Sequence, residues 1–330
     1  MIVVNLWFIK HSNGLFHYGL DYAEALGDAV REIWVRDPAL AAAVHRRLPG
    51  ASVVIVPARG LLPRLAGARR RADLVLTTSS HPLALGRRLV AVVHDSFPFT
   101  DGRAGAVKAL LFRTFLRLTD GVAGYVNHAD AGRYLAAQGV PAGRTRYLPN
   151  RLPEAPAAAP AGPLVVGERL VIGLFGTDSP KKNYDALFAA AAARPPGLPV
   201  VWRLYGHRNS YTDRLIADYP GCAIEIVGSD ELSMERFLAG IDLAVSPAIG
   251  EGFARPVAAA LLSGVPTLLL DTPVFREFYA GSARLFPTVP ALVEAIAAIR
   301  PGDRIERPTL RTAAELRRAF AEAVAWLHSL

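Results

Sequence analysis

SPAIGEGFARPVAAALLSGVP, residues 246–266, carries a strand end, a glycine loop, a helix and the start of another strand in 21 residues. An apolar run stops at Ser246, and a loop with Gly250 and Gly252 follows. A helix then opens near Arg255–Pro256, where proline suits the first turn. It ends at Gly264, where a left-handed C-cap fits. Pro266 opens the next strand. Ala258, Ala259 and Ala260 keep the helix thin enough to lie close on a sheet. A strand–helix–strand unit of this length is the crossover of a parallel sheet.

The same alternation runs through the chain. Apolar strands are read at 2–9, 31–35, 52–56, 73–78, 89–94, 121–126 and 145–148, with helices at 17–28, 38–47, 105–118 and 128–138. Near-continuous Val/Ile/Leu runs indicate burial on both faces, as in parallel sheets. Residues 150–168 (NRLPEAPAAAPAGPLVVGE) are rich in Pro and Ala and suit neither a regular helix nor a central strand. They read as a linker, or else as a long surface loop. Beyond them strands are read at 169–175, 200–205, 222–227, 242–246 and 266–270, with helices at 182–193, 211–218, 231–239 and 255–263. A last helix over 309–329 has an apolar face of Leu310, Ala313, Leu316, Phe320, Val324 and Leu327. The expectation is an α/β chain of two doubly wound domains: residues 1–150, a linker at 151–168, residues 169–305, and a C-terminal helical segment at 306–330.

Composition narrows the function. The chain has 330 residues, 52% hydrophobic and 20% charged, long enough for two domains. A single cysteine, Cys222, excludes an internal disulfide and any cysteine-cluster metal site. No apolar stretch is long enough to span a bilayer, and residues 1–9 lack a basic start and a cleavage site, so a cytoplasmic protein is expected. There is no G-x-x-x-x-G-K-[ST], no G-x-G-x-x-G, no G-x-S-x-G, no H-x-x-x-H and no D-x-D. Those absences argue against a P-loop NTPase, an ordinary nicotinamide dehydrogenase, an α/β-hydrolase, a zinc site and a carboxylate bracket for a metal–diphosphate.

The net charge of +8 is unevenly spread. Residues 1–164 hold 20 Lys and Arg against 11 Asp and Glu, whereas residues 165–330 hold 17 against 18. A basic first half suggests an anionic partner, such as lipid headgroups or a phosphorylated substrate. The stretch 105–118 mixes Leu and Phe with Lys108, Arg113 and Arg117. It fits either a sheet-packed helix or one lying on a membrane. Arg59, Arg64 and Arg69–Arg71 form a second basic run. No aromatic interleaving or motif supports nucleic-acid binding.

Two segments carry candidate chemistry. In GLFGTDSPKKN, residues 173–183, a strand ends at Gly176 and a polar loop enters a helix that Ser179 or Asp178 can cap. Lys182 and Asn183 fall near its first turn, and backbone amides beside a lysine suit a phosphate. In the 246–266 segment Glu251 lies in a glycine-flanked turn, where a carboxylate can accept two sugar hydroxyls. The amides of Gly252, Phe253 and Ala254 can hold a phosphate. His94 ends an apolar strand, as a core-edge or a functional histidine.

The pattern E-G-F-x-x-P-V-x-x-A-x-x-x-G-V-P from Glu251 resembles the signature of retaining GT-B glycosyltransferases, family 4 (glycosyl transferases group 1). LVAVVHDSFPF (89–99), GYVNHADAGRYLAAQGVPAGRTRYLPN (124–150), GTDSPKKN (176–183), Asp242–Pro247 and Phe275–Glu277 resemble other segments of that family, in order. The resemblance spans roughly residues 90–285 and implies a GT-B architecture, two Rossmann-like domains facing a central cleft. It implies an N-terminal acceptor domain, a C-terminal donor domain, and a final helix packing back on the N-terminal domain. The implied reaction is metal-independent, retaining transfer from a nucleoside-diphosphate sugar, with no other cofactor. The acceptor would be a hydroxyl of a glycan or lipid-linked molecule, as in bacterial surface polysaccharide or glycolipid synthesis, on the inner face of the membrane.

Residue by residue, the resemblance makes Lys182 the diphosphate ligand, Glu251 the holder of donor-sugar hydroxyls and His94 a cleft residue near the reacting sugar. Asn13 and Gly14, Gly176 and Thr177, and Gly252, Phe253 and Ala254 would line the donor site. Two positions depart from the family. Thr177 stands where an arginine is usual, and Ala259 replaces the glutamate that usually holds the ribose. Lys181 and Arg255 are candidates to supply the missing positive charge. Asn127 stands where a serine is usual. These departures keep open a degenerate GT-B protein that binds a glycan or partner without catalysis. A different GT-B reaction, epimerisation or phosphorolysis, also stays open.

Overall fold

The computed structural model describes residues 1–330 apart from 72, 82–87, 101, 155–161, 178 and 195–196, and apart from the side chains of 115, 117 and 118. The chain forms two compact units, Met1–Arg151 with Ala314–Leu330, and Leu152–Ala313.

The first unit is built on β1 (Ile2–Asn5), β2 (Val30–Val35), β3 (Val53–Ile55), β4 (Leu74–Thr77), β5 (Leu89–Val93), β6 (Val122–Tyr125) and β7 (Thr145–Tyr147). All pairings are parallel, in the order β3-β2-β1-β4-β5-β6-β7. The order reverses between β1 and β4, so loops leaving those two strands diverge and open a crevice at their carboxyl ends. Along β1, Val3 and Val4 point to opposite faces and join different core clusters. Helices Gly14–Leu26, Pro38–Arg47 and Ala313–Ser329 cover the Val4 face. Helices Leu61–Arg70, Gly102–Leu118 and Arg133–Ala137 cover the other.

The second unit starts with β8 (Leu164–Val165), inside the stretch read as linker. It continues with β9 (Leu170–Phe175), β10 (Val200–Tyr205), β11 (Ala223–Val227), β12 (Leu243–Ser246), β13 (Thr267–Leu270), β14 (Arg284–Phe286) and β15 (Arg304–Ile305). β9 to β14 form one parallel sheet, β11-β10-β9-β12-β13-β14, and β8 pairs with β15 antiparallel. This is the Rossmann order, with its switch point between β9 and β12.

Several elements differ from the sequence reading. β1 stops at Asn5 rather than at residue 9, because the Asn5 carboxamide accepts the Trp7 amide (3.1 Å) and donates to Thr77 Oγ1 (3.1 Å). That local bond turns the chain out of the ladder. The helix expected at 128–138 opens as a π turn, His128–Gly132, before Arg133–Ala137. The last helix begins at Ala313, so Leu310 precedes it. Ala323 takes the core position expected of Val324, which is half-buried. Helices Leu61–Arg70, Pro273–Tyr279 and Val289–Ala297 were not read from the sequence.

The last helix belongs to the first unit's core. Phe320 packs on Tyr22 (ring centroids 4.8 Å), and Arg146 lies over Trp326 (5.3 Å). Tyr18 and Tyr22, one turn apart, donate their hydroxyls to the carbonyls of Leu148 (2.9 Å) and Pro149 (3.0 Å). Both phenols are fully buried, and desolvation holds both in the neutral, donating form. Replacing Phe320 with alanine empties a largely buried aromatic site. The Phe320→Ala variant should lose about 3 kcal/mol, read as a lower urea midpoint of near-UV circular dichroism. An unchanged midpoint would mean that the helix contributes nothing to this core.

Candidate functional site

In the second unit, two loops leave the carboxyl ends at the switch point: 176–183 after β9 and 247–254 after β12. Gly176 turns the first loop with φ 82°. Ser179 then caps a single 3-10 turn, Pro180–Lys182, by accepting the Lys181 amide. The alternative cap, Asp178, lies outside the described residues. Asn183 follows in the left-handed region (φ 61°), and the helix proper starts at Tyr184, two residues later than read from the sequence. Asparagine tolerates that conformation better than most residues. Here its side chain also works across the site, donating to Pro247 O at 3.1 Å.

A second tie joins the loops, from Ile249 N to Lys181 O at 3.0 Å. The third is an ion pair: Lys182 Nζ donates to Glu251 Oε1 at 2.7 Å, with the side chains only 16% and 11% exposed. The two residues singled out for a diphosphate and for sugar hydroxyls are therefore direct partners.

The turn around Glu251 is held from below. Ala254 adopts φ 59°, an unusual conformation for a residue with a Cβ. It redirects the chain into helix Arg255–Leu262, which has Pro256 in its first turn. The fully buried Tyr279 donates to Phe253 O and lies 3.3 Å from Ala254 O. The Phe253 ring is buried against Phe278 (4.8 Å), so this residue offers the site backbone rather than side chain. Sequence reasoning missed Tyr279, which lies 25 residues from Ala254 with no local signal.

Thr177 is a brace between loops. It is buried, its hydroxyl donates to His207 O (2.7 Å), and its carbonyl accepts from Asn209 Nδ2 (2.8 Å). Gly206 makes room for it, since a Cβ there would stand 2.6 Å from Thr177 Oγ1. Ala259 is half-buried in an apolar cluster with Val227, Leu232 and Met234. Lys181 and Arg255 are both half-buried at the loop and helix starts.

In the first unit, the corresponding edge holds His94, Asn13 and Gly14. His94 Nε2 lies 3.0 Å from Thr78 O, which as an acceptor requires the proton on that nitrogen. Its ring meets Tyr18 edge-on (4.6 Å), and its carbonyl accepts from Asn127 Nδ2 (2.9 Å). Asn127 also caps the π turn through the amides of Asp130 and Ala131 (both 2.9 Å), doing locally what a serine would do. The Asn13 carboxamide caps helix Gly14–Leu26, accepting from Leu15 and Phe16. Gly14 faces open space. Nearby, desolvation and the charge of Lys108 push the His81 imidazole below its ordinary pKa.

The sequence matches no family model, and no curated protein matches it. Its fold has clear counterparts among solved structures. HepE from Anabaena, solved with UDP and glucose, superposes with a TM-score of 0.72 at 17% identity, covering 99% of this chain and 97% of that one. WaaG, a glycosyltransferase involved in lipopolysaccharide biosynthesis, gives 0.65 at 14% identity, covering 100% and 96%. A glycosyltransferase from Rickettsia africae gives 0.66 at 13% identity, covering 99% and 92%. This chain therefore has the GT-B fold, with two Rossmann-like units.

Removing Lys182 alone leaves the Glu251 carboxylate largely out of water without its partner. Lys182→Met should destabilise the protein by about 1–3 kcal/mol, and adding Glu251→Gln should recover much of that loss. A double-mutant cycle by urea unfolding reads the coupling. Additive single effects would show that the pair is not formed in solution.

Proposed function

We propose that this chain is a glycosyltransferase that moves a sugar from a nucleoside-diphosphate sugar to an acceptor hydroxyl, with retention and without a metal. The observation that carries the reading is the Lys182–Glu251 pair at the β9/β12 switch point. One nucleotide sugar presents, side by side, the two groups this pair suits: a diphosphate for the ammonium and ring hydroxyls for the carboxylate. Lys182 and Glu251 are each other's partners. Bound diphosphate takes Glu251's place beside Lys182, and the released carboxylate accepts sugar hydroxyls. HepE was solved with UDP and glucose, which makes UDP the first nucleotide to try.

The chemical step we propose is the one the family resemblance implies. The bond from the anomeric carbon to the diphosphate oxygen breaks, the bond to the acceptor oxygen forms on the same face, and the acceptor proton passes to the departing phosphate oxygen. Charge then develops on the diphosphate, where Lys182 and the backbone amides of Gly252, Phe253 and Ala254 stabilise it. Tyr279 keeps those amides in register through Phe253 O and Ala254 O. We assign the acceptor to the carboxyl edge of the first unit, beside His94, Asn13 and Gly14. A glycan or lipid-linked acceptor at an anionic membrane surface suits the basic first half, and surface polysaccharide synthesis on the cytoplasmic side is the setting we favour.

Thr177 and Ala259 support a second reading, a degenerate member that binds without turnover. The first offers no charge and the second leaves an apolar surface where a ribose carboxylate is usual. Two measurements separate the readings. UDP at about 100 times its dissociation constant should raise stability by ~2.7 kcal/mol in a thermal-shift assay, and Lys182→Ala should lose the shift. Glu251→Ala should lower kcat/KM by about 100-fold, equivalent to losing charged hydrogen bonds worth ~3 kcal/mol. Binding without turnover by the wild type, across donors and acceptors, selects the degenerate reading. Wild-type turnover in Glu251→Ala removes Glu251 from the site.

A further inference from the structure

We infer that the face of the first unit's sheet carrying helices Leu61–Arg70 and Gly102–Leu118 docks on an anionic bilayer, with Phe97, Val107, Leu110 and Leu111 entering the interface. The inference gives the membrane element of the proposed function a surface and a lipid class, and rests on that reading only for the acceptor.

The two faces of this sheet differ in charge. The helices on the docking face contain no Asp or Glu from residue 58 to 71 or from 102 to 119. They carry Arg59, Arg64, Arg69, Arg70 and Arg71, then Arg103, Lys108 and Arg113; Arg64 pairs with Glu32 and Arg71 with Asp73, and the excess rests on the other six. The opposite face is mixed and paired within itself: Arg47 with Asp21 and Glu24, Arg151 with Glu24, Arg318 with Glu322. A net cationic face opposite a neutral one orients the unit toward anionic lipid.

Helix Gly102–Leu118 also has two apolar stripes where a sheet-packed helix needs one. Ala109, Phe112 and Leu116 are buried against the sheet. Val107, Leu110 and Leu111, spaced i, i+3, i+4, form a second stripe, 57–61% exposed. Phe97 (49%), in the segment just before this helix, and Leu62 (61%), on helix Leu61–Arg70, are exposed as well. Cations alone would suit any polyanion. Cations flanking an exposed Leu/Val stripe suit a headgroup layer over acyl chains. Among the described residues no helix is long and apolar enough to cross the membrane, so the contact is interfacial.

The placement has a use. Phe97 follows His94 by three residues, at most ~10 Å of chain. A bilayer held by Phe97 and the helix after Gly102 therefore lies beside the carboxyl edge assigned to the acceptor, and a lipid-linked acceptor reaches that edge without leaving the membrane.

The test is flotation of the full chain with vesicles of phosphatidylcholine alone or mixed with phosphatidylglycerol. The wild type should float with the mixed vesicles only, and less as salt rises. Leu110→Glu with Leu111→Glu should weaken binding at least ~tenfold, and Arg103→Glu with Lys108→Glu similarly. Arg46→Glu, on the opposite face, should bind as wild type. The melting temperature and the UDP shift of each variant verify its fold. No flotation of the wild type with anionic vesicles overturns the proposal. So does unchanged flotation of the Leu110/Leu111 variant, which would leave only adsorption to polyanions. Flotation with no thermal response to any nucleoside diphosphate or its sugar conjugates would count against the proposed donor site and leave the docking face standing.

Discussion

An ammonium and a carboxylate held 2.7 Å apart, mostly out of water, organise the second unit's site. Parallel strands force the conditions for it. At the switch point the loops after β9 and β12 leave in opposite directions, so nothing in the sheet ladder binds them to each other. The ties that do so are the backbone bond from Ile249 to Lys181, the carboxamide of Asn183 on Pro247, and the Lys182–Glu251 pair. Two unusual backbone conformations, at Asn183 and Ala254, bracket the pair. Tyr279 holds the second from inside the core. The pair lies in a strained, charged seam between two loops on a rigid sheet.

The first unit meets the same geometry with other ties. Its strand tips are joined by bonds to backbone carbonyls, from His94 to Thr78 and from Asn127 to His94, and by the Asp130 carboxylate, which accepts from the amide and hydroxyl of Ser96. Its charge is displaced to one side of the sheet instead. The acids of the other side are neutralised by arginines already close by, such as Arg47 against Asp21. The two carboxyl edges are therefore tied differently, one by an ammonium–carboxylate pair and the other by bonds to carbonyls and to a carboxylate.

Much of this is legible in the order of residues. The period of the apolar runs specifies parallel strands and crossover helices, because a strand buried on both faces has to be apolar throughout. The turn chemistry of Gly250, Gly252 and Gly264 marks the loop and helix that hold Glu251. Lys182 and Glu251 stand out as a cation and a carboxylate after strand ends, and the asymmetry of charge between the halves is a matter of counting. Only the tertiary structure decides that Lys182 and Glu251 touch, since 69 residues separate them and sheet order alone brings them together. The same holds for Tyr279 beneath Ala254 and for Thr177, whose hydroxyl braces His207. It holds too for the outward stripe of Val107, Leu110 and Leu111, because a stretch mixing Leu and Phe with cations does not say which side chains the sheet covers. Local sequence determines what each segment can form; which distant groups meet, and which apolar faces stay in water, depends on how the segments stack.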